Sequence, residues 1–173
     1  MSTVVGAVLE PWTIVITVHA VAAGLAITLG TVNAFRRTRG DLTHRIVGRT
    51  WSELMLVVSI GSFWIGGYTS GLSLFLHGLA AWTVISICAG VLAARHGAIG
   101  VHRRFMLGTY LGLLGAFIGV ISVPRRRVPS WFAAHPLTMS ALAIVIIATG
   151  LATAGAIRRT ARSREEQPRG AVR

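Results

Sequence analysis

The chain has 173 residues, of which 53% are hydrophobic and only 13% are charged, and its mean hydropathy is +0.68. A soluble domain carries about a quarter charged residues, so this composition excludes an ordinary soluble protein. The charge is one-sided, with 17 arginines, no lysine and 5 acidic residues, for a net charge of +12. The single cysteine, Cys88, excludes a disulfide framework and a paired-cysteine metal site.

Five apolar stretches are long enough to cross a bilayer, whose core of about 30 Å takes roughly 20 residues of helix. Only the second stretch contains a formal charge, Glu53. The sequence therefore predicts an all-α integral membrane protein embedded in the lipid bilayer, as a single helical bundle over 1–157. Its five transmembrane helices are expected at 12–35, 50–68, 72–94, 105–123 and 136–157.

The arginines predict the orientation of these spans. With the N-terminus outside, the segments 36–49, 95–104 and 158–173 face the cytoplasm and contain 14 arginines, against 3 on the outer side. The positive-inside rule therefore places the N-terminus outside and the C-terminus inside the plasma membrane. Since topology explains the basic charge, we expect no nucleic-acid partner. The polar, basic tail at 158–173 is expected to be cytoplasmic and disordered.

An internal repeat relates the first two spans to the next two. At an offset of 58 residues, the segment HAVAAG of the first span aligns with HGLAAW of the third. Each unit is a helix pair, so we expect two parallel helix hairpins, at about 12–68 and 72–123, followed by a fifth helix. Four histidines occupy repeat-equivalent positions, His19 with His77 and His44 with His102.

The repeat sorts these histidines into two layers. His19 and His77 lie near the outer ends of spans one and three, whereas His44 and His102 lie at the inner entrances to spans two and four. Small side chains one turn away on the same faces leave room for a flat macrocycle. Because two histidines are a common way to hold haem iron in a helical bundle, the pattern predicts metal ligation by both pairs.

An arginine follows each inner histidine directly, Arg45 and Arg103, and is suited to pair with a haem propionate. The leading hypothesis is a membrane protein with one or two b-type haems that moves electrons across the membrane. A quinol or a redox protein would be its partner, and its enzymatic class would be a transmembrane oxidoreductase.

Two other functions stay open. The glycines at 108, 112, 115 and 119 are typical of helix packing, and such faces suit a cofactor-free accessory or scaffold subunit held by partner subunits. Glu53 follows Arg49 by one helical turn and either pairs with it or marks a proton or quinol site. A small proton-coupled transporter would use Glu53 and the histidines as a relay.

Two motifs resemble a bacterial family of predicted membrane proteins, domain of unknown function 2306. Its pattern has His-Arg-x-x-Gly-Arg at one helix entrance, here 44–49, and His-Arg-Arg-aromatic-Met at a later one, here 102–106. Ile46 and Phe105 stand where the family usually has Trp. The resemblance covers 39 to about 124 and implies a membrane protein without implying its activity. The histidine arrangement is also similar to that of transmembrane dihaem cytochromes b, which implies electron transfer.

Overall fold

The computed structural model describes residues 12–65, 71–123 and 126–166, and within these ranges it contains six helices and no strand. The expected all-α class is therefore confirmed. The helices are α1 (Ile14–Ala34), α2 (Leu42–Ser62), α3 (Gly71–Arg95), α4 (Ile99–Ile121), α5 (Arg127–Ala134) and α6 (Pro136–Glu166).

The first four helices form a bundle in which each packs on two of the other three. α1 and α3 both lie against α2 and against α4. Among the described residues, α1 and α3 do not pack backbone to backbone, and neither do α2 and α4, so these pairs lie diagonally across the bundle. α6 covers α1 and α2 from outside, and the short α5 lies against α4 and α6.

Four helices, α1, α3, α4 and α6, are long and apolar enough to cross a membrane, which supports a multi-pass membrane protein. α2 has 21 residues but is outside this set. Its first twelve positions include His44, Arg45, Arg49 and Glu53, which lower its hydropathy. The second expected span, 50–68, is therefore not confirmed, and its last residues, 66–68, lie outside the described residues.

Two helices begin well before the apolar stretches that predicted them. α2 begins eight residues before the expected start at 50, because the Asp41 carboxylate caps it by accepting the His44 backbone N–H at 2.9 Å. α4 begins six residues before 105, directly after the turn at Gly97, whose φ of +76° suits glycine. Hydropathy thus locates the lipid-facing part of a helix, whereas caps and turns decide where the helix starts.

The C-terminal helix continues to Glu166, nine residues beyond its expected end at 157. This corrects the expectation of disorder for the first part of the tail. Ala161 is only 1% exposed, so packing supports the extension. Residues 167–173 lie outside the described residues. The short helix α5 on the outer side was not predicted, since eight residues fall below the length of a span.

An aromatic core fills the middle of the bundle. Gly30 on α1 lies against Trp51 of α2 and Tyr110 of α4, and a Cβ at Gly30 would come within 2.7 Å of each ring. The Tyr110 hydroxyl is 2.7 Å from the Thr31 hydroxyl. Trp51 and Tyr110 are almost fully buried, so they form part of the packed core of the bundle.

Candidate functional site

The inner histidines lie at equivalent places in the two hairpins, in the first turn of α2 and of α4. His44 Nδ1 is 3.0 Å from Asn33 Oδ1 on α1. His102 Nδ1 is 2.9 Å from the backbone oxygen of Gly90 on α3. Each ring is therefore tied to the preceding helix of its own hairpin, eleven or twelve residues earlier in the chain.

These contacts select one tautomer for both rings. An oxygen acceptor at Nδ1 requires the proton on Nδ1, because the ring nitrogen has to donate. The lone pair of a neutral ring is then on Nε2. Histidines that bind metals characteristically donate their second ring N–H to an oxygen in this way, which fixes the ring and makes the ligand nitrogen more basic.

The two inner rings also influence each other. His44 precedes the apolar stretch of α2, and its pKa is lowered first by burial and next by positive charge on His102. Asp41 acts in the opposite direction. His44 therefore lies within electrostatic range of His102, and both burial and the charge on His102 favour the neutral form of His44.

Of the outer pair, His77 is the more enclosed. Its side chain is only 6% exposed, and its Nδ1 is 2.7 Å from the carbonyl oxygen of Ser73, one turn earlier in α3. Its ring lies 5.8 Å from the ring of Phe63 at the end of α2, inclined by 35°. His77 thus has the same tautomer as the inner histidines and faces α2.

His19 has a different environment. Its ring on α1 interacts with the backbone of Val58 on α2. Its Nδ1 is buried and has no hydrogen-bond partner within the described ranges. A Cβ at Gly61 would lie 4.0 Å from that nitrogen, so the side chain of residue 61 would be the nearest one added beside it. Both outer histidines therefore contact α2, which packs against both of their helices.

Arg45 and Arg103 have exposed side chains at the inner end of the bundle. The single ion pair within the described part of the chain joins Arg36 to Asp41, so both arginines are available to an anionic group. In the same part, no three histidine, cysteine or acidic side chains cluster as a metal site. Any metal ligation by protein side chains here would rest on histidine pairs.

Asn33 and Gly90 contact the two inner histidines, and the sequence did not assign either position. Asn33 is a rare amide in an apolar stretch. The structure brings it to His44, because the chain turns back within the hairpin. Gly90 contributes only a backbone oxygen, which no side-chain pattern can reveal.

Glu53 and the glycines of α4 also differ from expectation. The Glu53 side chain is exposed on α2, and it does not form the local pair with Arg49 within the 4 Å limit for ion pairs. A Cβ at Gly108, Gly115 or Gly119 would have no atom within 4 Å among the described residues. Among the described residues these three glycines therefore do not pack closely against another helix of this chain.

Two grooves open sideways in the outer half of the bundle. The first groove, of about 500 Å³, lies between α1 and α2, and the second groove, of about 300 Å³, lies between α3 and α4. Four residues that line the second groove are repeat-equivalent to residues that line the first groove, at the offset of 58 positions. The internal repeat is therefore also visible in the surface of the bundle. The first groove includes Ile14, Val18, His19, Val57 and Gly61, and the second includes Leu72, Leu76, Gly115 and Gly119.

Comparison with known proteins identifies one family. The model of a family described as predicted membrane protein, DUF2306, matches residues 16–153. This range extends beyond the two motifs in both directions and includes all four histidines of the two layers. No curated protein and no solved structure gives a significant match to the chain.

Proposed function

We propose that this chain, which belongs to the DUF2306 family of predicted membrane proteins, binds one b-type haem between His44 and His102 and transfers electrons in the membrane. Bound haem would supply one-electron chemistry at the iron. The protein would contribute the two ligand nitrogens, their orientation and a dry interior.

The observation that carries the proposal is that both inner histidine rings form the same kind of hydrogen bond. In each hairpin the Nδ1 proton is donated to an oxygen of the preceding helix, at 3.0 Å for His44 and 2.9 Å for His102. A structural histidine needs only to satisfy its polar atoms. Here two repeat-equivalent rings are fixed in the tautomer that offers Nε2 to a metal, and their helices lie diagonally across the same bundle.

Charge supports the inner position. Arg45 and Arg103 are exposed beside the two histidines and are free of ion pairs within the described residues. Haem propionates are anionic, and guanidinium groups pair well with carboxylates. The arginine distribution supports a plasma-membrane orientation with this end at the cytoplasmic face and the N-terminus outside.

A second haem at His19 and His77 stays a prediction. His77 has the ligating tautomer, with its Nδ1 2.7 Å from the Ser73 oxygen. His19 instead lines the first groove, with Nδ1 directed toward Gly61. We therefore limit the proposal to the inner pair.

The test is a reduced-minus-oxidised visible spectrum of the detergent-purified protein from haem-replete cells. We expect a b-type α-band that His44→Ala and His102→Ala each remove. His96→Ala is the matched control, because His96 is an exposed histidine in the turn between α3 and α4, and its variant should keep the band. A folded protein without an α-band contradicts the proposal, as does an α-band that survives in both His44→Ala and His102→Ala.

One observation favours a cofactor-free accessory subunit as the second candidate. The glycine face of α4 is open at Gly108, Gly115 and Gly119, where a neighbouring helix of a partner would approach closely. Co-purification of a stoichiometric membrane partner that Gly108→Leu releases, with no α-band in the complex, would support this candidate instead.

A further inference from the structure

The first groove combines an apolar wall with one polar side chain. Val18 of α1 and Val57 and Ile60 of α2 are each about half exposed, so the groove is open to the lipid side of the bundle. Its volume of about 500 Å³ is in the range of small-molecule sites. Among its lining residues, His19 alone has a titratable side chain.

The His19 ring has an unused hydrogen-bonding atom. Its Nδ1 is buried and without a hydrogen-bond partner in the described part of the chain, and Gly61 places no side chain over it. A buried polar atom without a partner is costly, and the bilayer core offers no water to satisfy it. The groove therefore suits a ligand that is largely apolar, arrives through the lipid and has a polar atom on a compact head.

Glu53 supplies a second polar group on the same side of α2. It is exposed one turn before Val57, and it has no ion-pair partner among the described residues. Along the helix axis it lies about 7 Å from Val58, whose backbone His19 contacts. An ionisable group within an apolar membrane segment is expensive and usually functional. Two groups able to exchange protons therefore lie near one apolar groove, His19 in its wall and Glu53 one helical turn beyond it on α2.

The second groove shows that the duplication alone does not produce this arrangement. Four of its nine lining residues are repeat-equivalent to residues of the first groove, but His77 does not line it, because the ring is turned to the Ser73 carbonyl and Phe63. The position equivalent to Glu53 is Leu111, an apolar residue. The described part of the chain thus contains two similar grooves, of which only the first has a titratable lining residue and an exposed carboxylate one turn away.

We propose that the first groove binds the ring headgroup of a membrane quinone. His19 hydrogen-bonds one ring oxygen, Glu53 lies toward the opposite oxygen, and the isoprenoid tail extends into the lipid. The choice of a quinone rests on the proposed electron-transfer function, since quinones are lipid-soluble electron carriers. This assigns His19 to a quinone site instead of a second haem.

Photolabelling tests the site directly. The protein is placed in phosphatidylcholine nanodiscs, labelled with a photoreactive azidoquinone and competed with decylubiquinone, and the labelled peptides are mapped by mass spectrometry. We expect displaceable label in segments 14–19 and 56–64. Gly61→Leu fills the groove and His19→Leu removes the polar contact, so each should lower displaceable labelling about tenfold.

Two matched variants control for general effects. Gly119→Leu introduces the same side chain at the equivalent position of the second groove, where a Cβ has open space, and should leave labelling unchanged. His19→Gln keeps a hydrogen-bonding side chain and should retain labelling within about threefold. Full labelling in Gly61→Leu, equal loss in Gly119→Leu, or label that decylubiquinone does not displace overturns the quinone site.

The haem spectrum of the same samples separates this inference from the proposed function. Displaceable labelling in a protein without an α-band supports the quinone site and contradicts the haem proposal. An α-band without displaceable labelling supports the haem proposal and contradicts the quinone site. Loss of the α-band in His19→Leu would assign His19 to a haem and overturn the assignment made here.

Discussion

His44 on α2 and Asn33 on α1 are joined by a contact of 3.0 Å between the imidazole Nδ1 and the amide Oδ1. The amide is the last polar side chain of α1, and the contact spans the turn of the first hairpin. It fixes both the tautomer and the orientation of the ring that we propose as a haem ligand.

Replacing Asn33 by Leu removes this acceptor while keeping a similar volume. We expect haem affinity to fall about 10- to 100-fold, the usual effect of losing a hydrogen-bond partner of a metal ligand. Haem titration of the apoprotein, followed by the α-band, measures the change. Asn33→Asp keeps an acceptor oxygen and should bind haem more tightly than Asn33→Leu; equal affinity in the two variants would show that the contact does not orient the ligand.

Gly90→Ala tests the equivalent support of His102. An added Cβ would lie 3.1 Å from Phe105 Cβ and would also meet the Met106 side chain, which can move, whereas Phe105 Cβ is fixed to the α4 backbone. We expect α4 to shift and the protein to lose about 1–3 kcal/mol of stability, seen as a lower thermal midpoint in detergent. Gly115→Ala, where nothing lies within 4 Å, should not lower the midpoint.

Gly30→Ala tests the central core. The new Cβ would come within 2.7 Å of both Trp51 and Tyr110, two rings that are buried and have no free space to turn. We expect overpacking to cost about 3 kcal/mol, measured as a lower midpoint of thermal unfolding by circular dichroism. Gly78→Ala on α3 has open space at its Cβ and serves as the control; an equal midpoint for the two variants would contradict the described packing.

The stability of the apoprotein should fall in acid because of His44. Its pKa is lowered in the folded state by burial and by charge on His102, so the unfolded chain binds the proton more readily. Stability is therefore greatest above the unfolded value of about 6.5 and decreases as the pH falls through the lower folded value. His44→Gln should weaken this pH dependence of the thermal midpoint, whereas His96→Gln on the exposed turn should leave it unchanged.

Reporter fusions test the orientation. A green fluorescent protein after residue 173 should fluoresce, because the arginine-rich ends are expected in the cytoplasm. Alkaline phosphatase at the same position should be inactive, since that enzyme needs the oxidising exterior for its disulfides. The opposite pair of results would reverse the topology and place the inner histidines at the outer face.

The sequence by itself determined the membrane class, the helical content and the repeat-equivalent positions of four histidines. These depend on the length of apolar stretches and on local spacing, which are properties of the chain before it folds. The sequence also identified the family through the motifs that begin at His44 and His102, and the family model extends over 16–153.

Only the tertiary structure decided which groups each of these histidine rings contacts. Hydrogen bonds from His44 to Asn33 and from His102 to Gly90 arise because each hairpin brings residues eleven or twelve positions apart to one place. His19 and His77 are identical in the repeat, yet one lines a groove and the other turns to its own helix. The repeat determines where each histidine lies on its helix, whereas different neighbours, Val58 and Gly61 for His19 and Phe63 and Ser73 for His77, surround the two rings.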